Sequence, residues 1–325
     1  MLFRLVRSIA VRLPEESTRR ERLLSVFGPI LILVLLTVWI TQQVVGFALI
    51  WWGFDGVAGV DDFADDVYYS GVVFFTVGFG EVLPEEAGPR FGAIVEAACG
   101  VVTVALVVGY LPSLYSAYSD REAKLQTIDD GSEDRITPTS LVMAWAPDGD
   151  AAQLDARFEE WHEWTAGILE THTTLPILTM FRSHDRRQHW ITALGLLCDA
   201  AIHAQIIEGS DGPRSSYWFL RRAVEVFDLV TEGADLSPYD DHLTDPDAPG
   251  DRELFDQLYE TLVAHGFDVV PYDEAAARAG TLRNRFAREL EFTIDNLLCP
   301  RGFWSPAIGL PAPARSHAPD SEVTP

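Results

Sequence analysis

Residues 68–81 read Tyr-Tyr-Ser-Gly-Val-Val-Phe-Phe-Thr-Val-Gly-Phe-Gly-Glu. Their meaning depends on what lies on either side. Two apolar runs, Leu23–Trp52 and Phe91–Leu111, flank this short apolar segment. Each run can cross a ~30 Å hydrocarbon core, which takes about 20 helical residues. Nothing after Leu111 resembles them, so the remaining two thirds of the 325 residues reads as a soluble region attached to a small membrane unit.

The basic residues set the orientation. Arg4, Arg7, Arg12, Arg19, Arg20 and Arg22 precede the first run, whereas Arg90 is the one base between the runs. Basic flanks stay inside, so both termini are expected in the cytoplasm of a two-span cell-membrane protein. The apolar stretch after the leader is too long for a signal peptide and has no small-residue cleavage site after it. Thr41-Gln42-Gln43 is polar, which a tilted helix packed against protein tolerates. Segment 2–13 has the spacing of an amphipathic helix at the membrane interface, with a solvated basic leader as the equal alternative.

The formal net charge is −25, and Lys124 is the one lysine. Nucleic-acid binding depends on neutralising phosphates with bases, so that class is excluded. A salt-rich cytoplasm and a GC-rich genome both explain the acidity. Cys99, Cys198 and Cys299 show neither CxxC spacing nor a disulfide framework.

The expected organisation is a basic segment 1–22, a membrane module 23–118, a linker 119–135, a helical cytosolic domain 136–309 and a disordered tail 310–325. Within the module the spans are 23–52 and 91–118, with the segment 61–81 between them. Apolar periodicity predicts helices at Ala151–Thr171, Gln188–Glu208, Ser215–Thr231, Asp251–His265 and Asp273–Leu298, with a loop over 233–250. Trp161, Trp164 and Trp190 fill the helical core. No run alternates long enough to suggest a sheet.

The order span, short apolar segment, Thr76-Val77-Gly78-Phe79-Gly80, span resembles the pore module of the potassium channel superfamily, over about residues 23–118. The resemblance implies a mainly α fold: two transmembrane helices with a re-entrant pore helix and filter, and an all-helical C-terminal domain. Four chains are needed to complete such a filter, so it also implies a homotetramer in a lipid bilayer. A potassium ion must exchange its hydration shell for other oxygens. Carbonyls alternate along an ordinary strand, and glycines at alternate positions allow the positive φ that aligns them; Gly78 and Gly80 fit. By resemblance, the K+ ligands are the carbonyls of Thr76, Val77, Gly78 and Phe79, with the Thr76 hydroxyl.

A pore helix of about four turns is expected before the filter. Asp61, Asp62, Asp65 and Asp66 at its start suit the helix dipole and concentrate cations. The resemblance places Tyr68 and Tyr69 as an aromatic pair bracing the filter. Phe79 stands where tyrosine is commoner and Glu81 where aspartate is. Val72 lies where some relatives place a carboxylate. Glu96, ionisable within a span, is expected to face protein and to bond to the pore helix or filter backbone. Gly100 matches the hinge position of relatives. Gly109 and Pro112 follow, and Val104, Val108 and Pro112 share a face able to constrict. The alternative for the glycines is close helix packing.

No span carries arginine at every third position, and no GxGxxG follows a strand. Asp245–Asp251 is a poor calcium loop because Pro249 stands where an oxygen ligand is wanted. His184 and His189 are spaced poorly for a metal. No nucleophile–base pair or metal cluster suggests an enzyme, and no cofactor is implied beyond K+ as the permeant ion. Potassium channel, less selective cation channel, and membrane-tethered scaffold with a vestigial pore stand as the rival readings; the gating stimulus and any regulatory ligand are not legible.

Overall fold

The computed structural model describes residues 2–14, 17–54, 62–128, 136–183, 189–207, 214–242 and 249–301. Asp61, His184, the acidic run 129–134, most of the calcium-like loop and the tail 310–325 lie outside them. The chain is mainly α, with no strand among the described residues and one isolated bridge, Ile207 to Val269. It divides into two compact units, Val26–Ala117, and Met1–Ser25 together with Tyr118–Pro325.

Three helices make the first unit. Helix α2 (Thr18–Phe54) and helix α4 (Ala87–Leu125) are long and apolar enough to cross a membrane, and α3 (Phe63–Phe74) lies between them in sequence. Both long helices exceed the spans read from sequence, 23–52 and 91–118. The polar ends Thr18–Arg22 and Ser119–Lys124 stay helical because Arg, Glu, Ala and Lys are good helix formers. The expected linker at 119–135 therefore begins as helix. Helix α3 has 12 residues, just over three turns rather than four. Gln43, in the polar patch, donates from Nε2 to Thr103 Oγ1 at 3.1 Å, joining α2 to α4.

The second unit opens with α1 (Leu2–Ala10), whose Arg7 donates to the Asp295 carbonyl. Its core is built around α7 (Trp190–Ile206), which is buried along almost its whole length. Around α7 pack α5 (Pro138–Trp145), α6 (Ala151–Thr174), α8 (Arg214–Val230), α10 (Tyr272–Arg283) and α11 (Ala287–Leu297); α9 (Pro249–His265) packs on α5. Trp161 and Trp164 meet edge to face at 5.3 Å, and Trp190 is fully buried, as the core role requires. His189 is not at the surface: it is buried and caps α7, its Nδ1 accepting from Ile191 N at 3.3 Å.

Two elements depart from the sequence expectation. Helix α5 was not anticipated, although Thr137-Pro138-Thr139-Ser140 carries its signal: Thr137 and Ser140 form a reciprocal capping box with proline in the first turn. The single helix expected over 273–298 is two. The chain turns at Asn284–Phe286, which buries Phe286 completely and stacks it on Phe227, with centroids 5.7 Å apart.

Candidate functional site: the segment between the two long helices

Helix α3 starts cleanly. The Asp62 carboxylate accepts from Asp65 N at 3.0 Å, satisfying an otherwise orphaned donor. The end is tight: Thr76 N donates to Val73 O and Val77 N to Val72 O, each at 2.9 Å. Beyond it the backbone alternates. Positive φ occurs at Thr76 (55°), Gly78 (57°) and Gly80 (86°), with Val77 and Phe79 between them outside that region. The glycines were expected there. Thr76 was not, because a left-handed β-branched residue is strained by about 1–3 kcal/mol. Residues 75–81 are all exposed in the single chain.

Behind this segment lies a polar cluster. Glu96 of α4 is completely buried. Its Oε2 accepts from Trp51 Nε1 of α2 at 2.8 Å, and its Oε1 accepts from the Ser70 hydroxyl of α3. The same hydroxyl reaches the Val44 carbonyl oxygen at 2.8 Å. One carboxylate thus joins all three helices of the unit. The partner on α3 is a side chain, not the backbone of residues 76–80, and Trp51 was not foreseen as a partner. Tyr69 packs edge to face on Trp51 at 5.6 Å. Tyr68 is turned the other way, and its hydroxyl donates to Glu81 Oε1. That bond clamps the residue after the glycines to α3. Phe79, lacking a phenol, is 68% exposed and makes no such tie.

The remaining residues lie along α4. A Cβ on Gly100 would stand 1.8 Å from the Phe74 carbonyl oxygen, so here the glycine permits close approach of α4 to the end of α3. Gly109 faces open space. The helix continues unbroken through Gly100, Gly109 and Pro112. Val104 and Val108 are exposed in the single chain. Among the described residues no group of three or more His, Cys, Asp or Glu side chains is placed to hold a metal.

Comparison with known proteins fits this geometry. The sequence model of an ion-channel family, Ion_trans_2, matches residues 31–116, which take in both long helices and everything between them. The uncharacterized membrane protein YdjJ of Bacillus subtilis (strain 168) is 26% identical over 190 residues, 55% of this chain and 53% of that protein. The chain therefore spans about half the length of that relative, and the likeness covers more residues than the ion-channel match. No solved structure matches the chain. Residues 31–116 are thus similar to a family of channels, and the described residues include two helices long and apolar enough to cross a membrane.

Proposed function

We propose that the chain is one subunit of a homotetrameric, potassium-selective channel. The observation that supports this best is the alternation of left-handed backbone at Thr76, Gly78 and Gly80 within Thr-Val-Gly-Phe-Gly. A chain that alternates in this way can turn successive carbonyls to one side, which is what replacing a hydration shell requires. Thr76, Val77, Gly78 and Phe79 are the ion ligands, Gly80 supplies the last turn, and K+ passes without any cofactor.

Tyr68, Tyr69, Glu81 and Glu96 support the filter. The buried Glu96 cluster sets the height and rotation of α3 against α2 and α4. The Tyr68–Glu81 bond does the same for the outer end of the filter. Val104, Val108 and Pro112 form the constriction, where an apolar ring closes by dewetting. The chain lies in the cell membrane with both termini in the cytoplasm. Residues 1–22, 23–118, 119–135, 136–309 and 310–325 are its leader, pore, linker, helical cytosolic domain and tail. The helical domain regulates opening.

Reversal potentials of the purified protein in bilayers, with K+ on one side and Na+ on the other, test the reading. Selective potassium current is expected. Near-equal permeability would move the protein to the non-selective cation channels, and absence of current would leave a tethered scaffold with a vestigial pore. Truncation near Lys124 is expected to leave a conducting tetramer with altered open probability. A truncated tetramer that opens as the full chain does would remove the regulatory role.

A further inference from the structure

Two buried arginines converge on one short segment, residues 178–183, which follows α6. Arg182 has a side chain 5% exposed and uses its two terminal nitrogens for different elements. Nη1 lies 2.8 Å from Glu21 Oε1 in the first turn of α2. Nη2 donates to Leu297 O at 3.0 Å and to Leu298 O at the end of α11. Leu298 sits at φ 53°, a left-handed cap taken here by a side-chain-bearing residue instead of glycine.

Arg121, in the polar end of α4, approaches the same segment from elsewhere. Its side chain is 3% exposed, and it donates to Leu178 O at 3.2 Å and Phe181 O at 2.8 Å. Its guanidinium stacks 4.9 Å from the Trp190 ring centre. Two more bonds follow from α4: Tyr118 OH donates to Arg182 O at 3.2 Å, and Glu122 Oε1 accepts from Ser183 Oγ at 3.0 Å. Ser183 Oγ also accepts from Trp190 N at 2.9 Å, at the start of α7.

The polar start of α2 and the polar end of α4 are both fastened to residues 178–183. A buried guanidinium must satisfy its donors, and Arg182 does so on two elements at once. The planar fork of arginine does this, and the single ammonium of lysine does not reproduce it. We propose that residues 178–183 are a coupling strap. It joins the non-membrane ends of both long helices to the end of α11, so that whatever displaces α11 moves the two helix ends together. This rests on the reading of the chain as a channel regulated by its helical domain.

The test uses the full-length protein, with hydrogen exchange and single-channel recording on the same preparations. In Arg182→Ala, exchange is expected to rise over 20–25 and over 118–125 together, and open probability to change by about 5-fold or more. Glu21→Gln leaves the bonds to α11 in place and is expected to move both readouts the same way by less. A rise confined to 20–25, or a joint rise with unchanged open probability, would overturn the proposal. If Arg182→Ala does not fold, Glu21→Gln decides alone, and no change in either readout would overturn it. If the wild type carries no current, the channel reading itself fails. Joint exchange in those samples would still uphold the fastening, and separate exchange would overturn that as well.

Discussion

Replacing Gly100 by alanine separates two explanations of one residue. The added Cβ would stand 1.8 Å from the Phe74 carbonyl oxygen and 2.8 Å from its carbon. Tolerable contact begins at about 3.2 Å, so the end of α3 and α4 must part by roughly 1.4 Å. The obstacle is backbone, which has no rotamer by which to escape. Overpacking of this kind costs about 1–3 kcal/mol, against a gain below ~1 kcal/mol from better helix propensity. The protein in detergent should melt roughly 2–10 °C lower. Phe74 is two residues before Thr76, so the displacement should also reduce the preference for K+ over Na+. Gly109→Ala is the control: nothing lies within 4 Å of its Cβ, and it should melt no lower than the wild type. Wild-type melting and selectivity in Gly100→Ala would refute the close-approach argument. Altered opening with both unchanged would make Gly100 the hinge.

Gly78→Ala should lower selectivity while leaving folding nearly intact. No atom lies within 4 Å of the added Cβ, so the cost is the left-handed backbone alone, about 1–2 kcal/mol per chain; unchanged reversal potentials would tell against the filter assignment. Glu96→Ala leaves Trp51 Nε1 without its buried acceptor, while the Ser70 hydroxyl keeps the Val44 carbonyl, at a cost of about 1–3 kcal/mol. Glu96→Gln keeps one acceptor oxygen and should lose less, and equal melting of Ala variant and wild type would count against the cluster. Acid should loosen the C-terminal unit. Burial, helped by Arg121 and Arg283 respectively, holds His172 and His203 at about 3, well below the usual 6.5. Their contribution is complete above pH 6.5 and is lost as pH falls towards 3. Asp199 opposes this, because burial raises it to about 6 despite Arg283, and its penalty fades between pH 6 and 3.8. His189, which caps α7, is held down by burial in the same way, so three histidines oppose one aspartate and the unit loses stability between pH 7 and 4. Exchange of the α7 amides followed against pH checks this, and greater protection at pH 4 would reverse the assignment.

What the sequence makes legible is local or periodic. Helix α6 starts at Ala151, as its periodicity implies, because Asp150 caps it and the apolar stripe through Leu154, Phe158, Trp161 and Trp164 follows one face. Gly78 and Gly80 announce a left-handed backbone by residue type. Thr76 does not, since the chemistry that favours threonine there opposes the conformation it adopts. The Glu96 cluster joins residues 26 and 45 positions apart in the chain, and no spacing rule records such a meeting. Glycine in a helix is ambiguous in the same way: Gly100 and Gly109 look alike in sequence, and only the neighbouring backbone distinguishes them. The break at Asn284–Phe286 has a similar origin, for helical propensity runs through it and the burial of Phe286 decides otherwise.

Lys124 closes α4 with its ammonium 2.8 Å from Glu160 Oε2 and 5.1 Å from the ring centre of Trp161. It is also the chain's one lysine. An amine-directed dye therefore has a single side chain to label, beside an indole that quenches on contact. Parting of α4 from α6 can then be followed as fluorescence brightening in the unmutated protein.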